Sequence, residues 1–157
     1  MSGDTEGPME AIRSLRPGPD EYDAFYEPYL ARVPDGDVTG TLERQGEALA
    51  ELLRSVAPGH ESFQYAPGKW TVREVVGHVI DCERVFGYRA LHIARRDPAP
   101  LPDMDEMLWA GASNAADRRL AELTEELVAV RRGTVTLFRG LAPQAWERRG
   151  VASGREV

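Results

Sequence analysis

The sequence predicts an all-α protein, a bundle of three long amphipathic helices preceded by a short N-terminal helix. Apolar residues recur at helical spacing in three long stretches, each stretch ends at proline or glycine, and no stretch shows the alternation typical of β-strands. With 157 residues, 42% of them hydrophobic, the chain can form one buried core. We therefore predict a flexible tail over residues 1–20, rich in Gly and Pro, and a single helical domain over residues 21–157.

Charge and composition exclude several classes of partner. The 19 Lys and Arg residues against 26 Asp and Glu residues give a net charge of -7, which repels phosphate backbones and anionic lipids. No apolar run approaches the ~20 residues that span a bilayer, and the N-terminus lacks the features of a signal peptide. We therefore expect no nucleic-acid or membrane partner, and a cytoplasmic location. The single cysteine, Cys82, excludes an internal disulfide and zinc motifs built from cysteine pairs.

The first two helices are a short aromatic one and a long amphipathic one. Residues 22–30 carry four aromatics at helical spacing, which predicts a short helix whose aromatic side chains pack over the core. After Asp37, apolar residues on a three-four spacing predict a long helix that ends at Pro58. Its predicted core-facing residues, interrupted by the polar Gln45, are Val38, Leu42, Leu49, Leu52 and Val56.

The second long helix has the clearest start signal in the chain. Thr71 and Glu74 have the spacing of a capping box, and Trp70 can pack on Val75 across the cap. We expect this helix to run to about Arg95, followed by a loop with one helical turn near residues 104–109. Its predicted apolar arc consists of Val72, Val75, Val79, Cys82, Phe86, Ala90 and Ile93.

The third long helix is predicted to begin at Asn114 and to end before Pro143. Residues 146–157 are predicted to be a charged connecting loop, and no strands are expected. Up-and-down and crossover orders of the helices both fit the sequence. An unbroken apolar pattern on the third helix comprises Leu120, Leu123, Leu127, Val130, Thr134, Leu137 and Leu141.

His78 is the candidate metal ligand, because it lies at the edge of the apolar arc of the second helix, where an imidazole can point into a bundle cavity. A carboxylate one turn away, such as Asp81, can orient the ring. The alternative, which spacing alone favours, is a histidine hydrogen-bonded to Asp81 or Glu74 at a helix interface. Cys82 is interpreted as a small core residue rather than a zinc ligand, and His92 as a surface residue.

Two further groups receive no role from the sequence. His60 follows Pro58 and Gly59 in a loop. The acidic residues at 103, 105 and 106 offer oxygen ligands but lack the spacing of a calcium loop, so they are interpreted as solvated charges.

The segment YAPGKWTVREVVGHVIDCERVFGYRALHIARRDPAPLPDMDE, with the later LAPQAWERRGVASG, resembles the DinB/YfiT-like superfamily of four-helix-bundle metalloproteins. The resemblance covers roughly Asp37 to the C-terminus. In that family a histidine in a G-H-x-x-D context is one of three histidine ligands of a zinc, nickel or iron ion, and Gly77, His78 and Asp81 match that context. The resemblance therefore implies that His78 binds a divalent metal, with Asp81 beside it.

The sequence departs from the family pattern at its end. The other two family ligands form an H-x-x-x-H pair on a fourth helix, after a loop that resembles residues 149–154, but the sequence stops at Val157. We therefore expect the domain to be incomplete, metal binding to be weak or absent, and this chain to be inactive as an enzyme. The implied family chemistry is metal activation of a small thiol for transfer to an electrophile, or related hydrolysis.

Three hypotheses follow for the function. The first is this DinB-like, metal-dependent protein with an incomplete site, in which unpartnered helix surfaces at Leu49, Val79 and Leu127 leave an apolar groove that favours dimerisation. The second is a non-enzymatic helical module that binds a partner helix along the same groove. The third is a metal site assembled across a homodimer, to which each chain contributes His78 and a carboxylate such as Asp81.

Overall fold

Three long helices form the body of the structure, a computed structural model that describes residues 8–157, and the predicted all-α class is confirmed. The expectation of no strands is wrong for the C-terminal segment, where two strands of two residues each form an antiparallel hairpin. The helices are α1 (Pro8–Arg13), α2 (Glu27–Leu30), α3 (Val38–Arg54), α4 (Val72–Ala94), α5 (Glu106–Ala112), α6 (Leu120–Arg139) and α7 (Pro143–Trp146), and the strands are β1 (Val151–Ala152) and β2 (Arg155–Glu156).

Helix α6 lies between α3 and α4 and packs against both. It runs antiparallel to α3, because Arg139 at its end pairs with Glu43 near the start of α3 at 2.7 Å. It runs parallel to α4, because the start of α4 packs with the start of α6 while Ala94 packs with Leu141 beyond the other end. Residues 95–119 must therefore cross back along the bundle, which settles the helix order as a crossover.

The main hydrophobic core is formed where α6 meets its two neighbours. The predicted apolar pattern of α6 is confirmed, since its leucines at 120, 123 and 127 are buried and Leu141 lies in a second, smaller cluster. The helix begins at Leu120 rather than at Asn114, because residues 115–117 form a separate 3₁₀ turn that places Ala115 in the core. The buried residues of the main core are Leu53, Val76, Ile80, Ala115, Leu120, Leu123 and Leu127.

The predicted core-facing sides of α3 and α4 are wrong in part. On α3 the buried leucine is Leu53, whereas Leu52 is 61% exposed. On α4 Val76 is buried, whereas Val75 of the predicted arc is exposed. Each helix carries a wide apolar arc, and α6 covers only one edge of it, so the other edge stays open.

The N-terminal elements also differ from expectation. The aromatics of residues 22–30 are arranged as a 3₁₀ turn followed by α2, and Phe25, Tyr26 and Tyr29 contact one another while remaining exposed. The prediction that they pack over the core is therefore wrong. Within the predicted tail, α1 contacts α7 and Arg16 pairs with Asp35, whereas residues 1–7 lie outside the described residues.

Two smaller points concern the end of α6 and the length and hydrophobicity of the helices. Helix α6 ends at Arg139, and Pro143 begins α7 rather than ending α6. No helix in residues 8–157 is both long enough and apolar enough to cross a lipid bilayer.

Candidate functional site

The predicted capping box fixes the start of α4 and therefore the position of His78 two turns later. The Glu74 backbone N–H donates to the Thr71 hydroxyl oxygen, and the Thr71 backbone N–H donates to Glu74 Oε2 at 2.7 Å. This pair satisfies two N–H groups that the first turn leaves free. The Thr71 backbone N–H lowers the pKa of the Glu74 carboxyl by favouring its charged form.

Gly77 brings α4 close to the turn that precedes α6. A Cβ atom at position 77 would lie 2.6 Å from the Cβ of Ala115, a separation that real side chains do not adopt. The glycine beside His78 is therefore required by packing. The close approach holds this part of α4 against the core while the next residue, His78, lies at its outer edge.

The His78 imidazole is 20% exposed and lies between Trp70 and Glu106. The Trp70 ring centroid is 4.9 Å from the imidazole centroid, and Glu106 Oε2 is 3.9 Å from His78 Nε2. Glu106 is the first residue of α5, whose start is capped by Asp105 through a 2.9 Å bond from the Leu108 N–H. The crossover segment thus brings a carboxylate to His78 from 28 positions later in the sequence.

His78 is not hydrogen-bonded to Asp81 or Glu74, which was the alternative that the sequence offered. Glu74 is engaged in the capping box, and Asp81 lies 3.9 Å from Arg84. Within residues 8–157, neither ring nitrogen of His78 forms a hydrogen bond to a nitrogen or oxygen atom; the polar contact that both make is with Cys82 Sγ. The carboxylate near the ring is therefore Glu106, which the sequence analysis had interpreted as a solvated charge, and the role expected of Asp81 stays a prediction.

Cys82 lies against the imidazole one turn further along α4. Its Sγ atom is 3.4 Å from Nε2 and 3.8 Å from Nδ1 of His78. A sulfur in line with the Nε2 lone pair would be much farther from Nδ1 than from Nε2. The Cys82 sulfur therefore lies off the direction in which Nε2 would bind a metal ion. Burial raises the pKa of the Cys82 thiol, and the negative charges of Glu106 and Asp81 raise it further. Both effects favour the protonated thiol.

The other two histidines do not join this site. His60 lies in an exposed turn after α3. His92, predicted to be a surface residue, is buried instead, because the crossover segment folds over it and the Ala99 carbonyl accepts a 2.8 Å hydrogen bond from its Nε2. Along the helix His92 is roughly 20 Å from His78, too far to share an ion.

The described part of the chain does not offer the ligands of a mononuclear metal centre. No group of three or more His, Cys, Asp or Glu residues close enough to hold a metal ion occurs among residues 8–157. Catalytic sites of this kind need about three protein ligands and an open position. The two groups that converge here are His78 and Glu106, so the donor set does not fit a complete centre.

An apolar groove opens between α3 and α4 next to His78. Its volume is about 250 Å³, and its floor includes Leu127 of α6. Trp70 belongs both to the groove and to the surroundings of His78. Leu49, Val79 and Leu127, at which an unpartnered surface was expected, all line the groove, but Leu127 is buried in the main core and Leu49 and Val79 pack against that core. The complete lining is Leu49, Leu53, Phe63, Tyr65, Trp70, Val72, Val75, Val76, Val79 and Leu127.

Comparisons with known proteins agree with the fold. The structure resembles that of YfiT from Bacillus subtilis, described as a probable metal-dependent hydrolase with an unusual four-helix bundle topology, with a TM-score of 0.69 and 16% identity over 96% of this chain and 82% of that one. No curated protein matches the sequence significantly. The sequence matches the model of the DinB superfamily over residues 41–157, well over half of the chain. The chain therefore belongs to the DinB superfamily.

Proposed function

We propose that this protein binds a divalent metal ion through His78, as a DinB-type protein whose chemistry is metal-assisted thiol transfer or a related hydrolysis. The observation that carries the proposal is that the only hydrogen-bond contact of the imidazole, within residues 8–157, is the weak one with the Cys82 sulfur. His78 makes no hydrogen bond to oxygen or nitrogen within the described part of the chain, although it is four-fifths buried. A buried histidine with a purely structural role normally satisfies its ring nitrogens with such bonds.

The surroundings of His78 suit a cation better than any neutral partner. Glu106 Oε2 lies 3.9 Å from Nε2, and the carboxylates of Glu106 and Asp81 are close enough to raise the pKa of the Cys82 thiol. This local negative charge attracts a cation. The description of YfiT as a probable metal-dependent hydrolase supports the same type of function for this chain.

The donor count limits what one chain can do. Two donors bind a divalent ion weakly, so we propose that a single 157-residue chain has weak metal affinity and no catalytic turnover of its own. Zinc, nickel and iron all suit an imidazole and a carboxylate. The substrates we propose are a small thiol and an electrophile, in the cytoplasm.

Metal titration tests the proposal. Zn²⁺ is titrated into the wild-type protein, His78→Ala and the control His60→Ala, which removes an exposed imidazole from a turn. We expect weak zinc binding by the wild type, a loss of roughly tenfold or more in affinity for His78→Ala, and no change for His60→Ala. Equal zinc affinity of all three proteins would show that His78 is not a ligand.

A second candidate function is supported by the apolar groove. Its wall contains two largely exposed aromatics, Phe63 and Tyr65, and an amphipathic helix is the usual occupant of such a groove. As a helix-binding module, the protein would bind a designed amphipathic peptide with a change in Trp70 fluorescence. Val79→Lys would abolish that binding and His78→Ala would not. Binding that is unaffected by Val79→Lys would exclude the groove as the binding surface.

A further inference from the structure

The crossover segment returns along α4 by a row of contacts between side chains of that helix and carbonyl groups of the segment. The Ala99 carbonyl accepts a 2.8 Å hydrogen bond from His92 Nε2, and the Pro102 carbonyl accepts one of 2.7 Å from the guanidinium of Arg89. The second contact lies further along the segment and closer to the start of α4. The row therefore leads toward the site, where Glu106 begins α5.

The half of α5 that carries Glu106 is weakly held by its own side chains. Residues 105–109 are all exposed, and the buried residue of α5 is Ala110, one turn beyond Glu106. A short segment with few buried side chains is ordered mainly by what fixes its ends. The position of Glu106 therefore depends on how the chain just before α5 is anchored.

The C-terminal hairpin provides an anchor for that part of the chain. Its turn consists of Ser153 and Gly154, both with positive φ, as in the two-residue turns that fit the twist of a hairpin. The Leu101 N–H donates to the Val151 carbonyl at 2.8 Å, and the Ser153 N–H donates to the Leu101 carbonyl at 3.1 Å. Leu101 and Ala152, which pair as neighbouring strand residues, are both buried. The crossover segment is thus bound to β1 in the manner of a third strand.

Two side chains join the hairpin, the crossover segment and α4. The Ser153 hydroxyl donates to Asp103 Oδ1 at 2.9 Å and accepts a 3.1 Å bond from Arg89. The same guanidinium nitrogen of Arg89 donates to the Pro102 carbonyl. The Ser153 hydroxyl lowers the pKa of the Asp103 carboxyl, because it stabilises the charged form. These bonds end at Asp103, just ahead of Glu106 in the sequence.

We propose that Arg89 and Ser153 are positioning residues, which clasp the crossover segment between α4 and the C-terminal hairpin and thereby set the place of Glu106 beside His78. The inference deepens the proposed function, since it rests on His78 as the site and names what controls the charge next to it. It also gives the C-terminal hairpin a part in arranging the site.

Cys82 is a native probe of this arrangement, because it is the single cysteine and lies against His78. The negative charge of Glu106 contributes to raising the pKa of its thiol. When Glu106 moves away, the thiol loses the effect of that charge and α5 moves with it. Both changes should speed alkylation of the thiol.

The test measures the rate at which iodoacetamide alkylates Cys82 in the folded protein. Arg89→Ala and Ser153→Ala should each raise this rate by about twofold or more. Ser55→Ala is the matched control, since it also removes an exposed serine hydroxyl, which donates to the Leu52 carbonyl at 2.7 Å, and it should leave the rate unchanged. Circular dichroism should be the same for all variants, and so should the alkylation rate in urea.

A double-mutant cycle separates the positioning of Glu106 from a general loosening of the fold. Glu106→Gln alone should raise the alkylation rate of Cys82, because it removes the charge. Ser153→Ala should then raise the rate by a smaller factor in the Glu106→Gln protein than in the wild type. A loosening unrelated to Glu106 would raise it by the same factor in both.

Hydrogen exchange gives a second measurement of the clasp. The Leu101 amide, which donates to Val151, should exchange faster in Arg89→Ala and Ser153→Ala than in the wild type. An unchanged Cys82 rate in both variants, or equal factors in the two backgrounds, would overturn the positioning role. These measurements use no metal, so that result would leave the zinc titration of the proposed function untouched, and a failed zinc titration would leave the clasp standing.

Discussion

Replacing Gly77 with alanine tests the close packing that holds His78 in place. The new Cβ would lie 2.6 Å from the Cβ of Ala115, which is attached directly to the backbone of a buried turn and cannot rotate away. Gly87 on the same helix is the matched control, since its added Cβ would meet Thr134 Oγ1 at an ordinary 3.7 Å.

The two substitutions should change stability in opposite directions. Alanine is intrinsically more favourable than glycine inside a helix by about 1 kcal/mol, and this gain applies to both positions. Overpacking at position 77 costs about 1–3 kcal/mol, at the upper end here because backbone must move. We therefore expect Gly77→Ala to lose about 1–2 kcal/mol and Gly87→Ala to gain about 0.5–1 kcal/mol.

Urea unfolding followed by circular dichroism measures this difference, which also corresponds to roughly 3–12 °C in Tm. The double variant Gly77→Ala, Ala115→Gly removes the contact and should recover part of the lost stability. Equal stability of Gly77→Ala and Gly87→Ala, or no recovery in the double variant, would refute the packing argument. In that case the glycine would have to be explained by something other than Ala115.

Three further predictions concern charges and the thiol. Glu83 forms a bidentate, largely buried ion pair with Arg131, so Glu83→Ala should cost about 2–4 kcal/mol in urea unfolding. Glu43→Ala, which breaks the exposed pair between Glu43 and Arg139, is the control and should lower stability much less. Folding lowers the pKa of the Glu74 carboxyl from its ordinary value of 4.5, so the charged carboxylate stabilises the fold at pH values above 4.5. This contribution is lost as the pH falls through the lower pKa of the folded protein. The stability advantage of wild type over Glu74→Gln should therefore shrink below pH 4.5, and an advantage independent of pH would contradict this. Because burial raises the pKa of Cys82, iodoacetamide at pH 8 should alkylate it more slowly in the folded than in the urea-unfolded protein, and equal rates would exclude this environment.

The sequence by itself determined the helices and the family. Capping and periodicity are local properties, so Thr71 and Glu74 were enough to place the start of α4, and the leucine spacing of α6 was enough to identify its buried side. The motif around His78 was likewise enough to indicate the DinB superfamily, which residues 41–157 confirm.

Tertiary structure decided which edge of each apolar arc is buried and what surrounds the histidines. Periodicity defines an arc on α3 but cannot say from which side α6 approaches, so Leu53 rather than Leu52 is buried. The crossover of residues 95–119 brings Glu106 to His78 and buries His92. These contacts join residues far apart in sequence, and their free energy depends on how whole helices pack, which no local pattern contains.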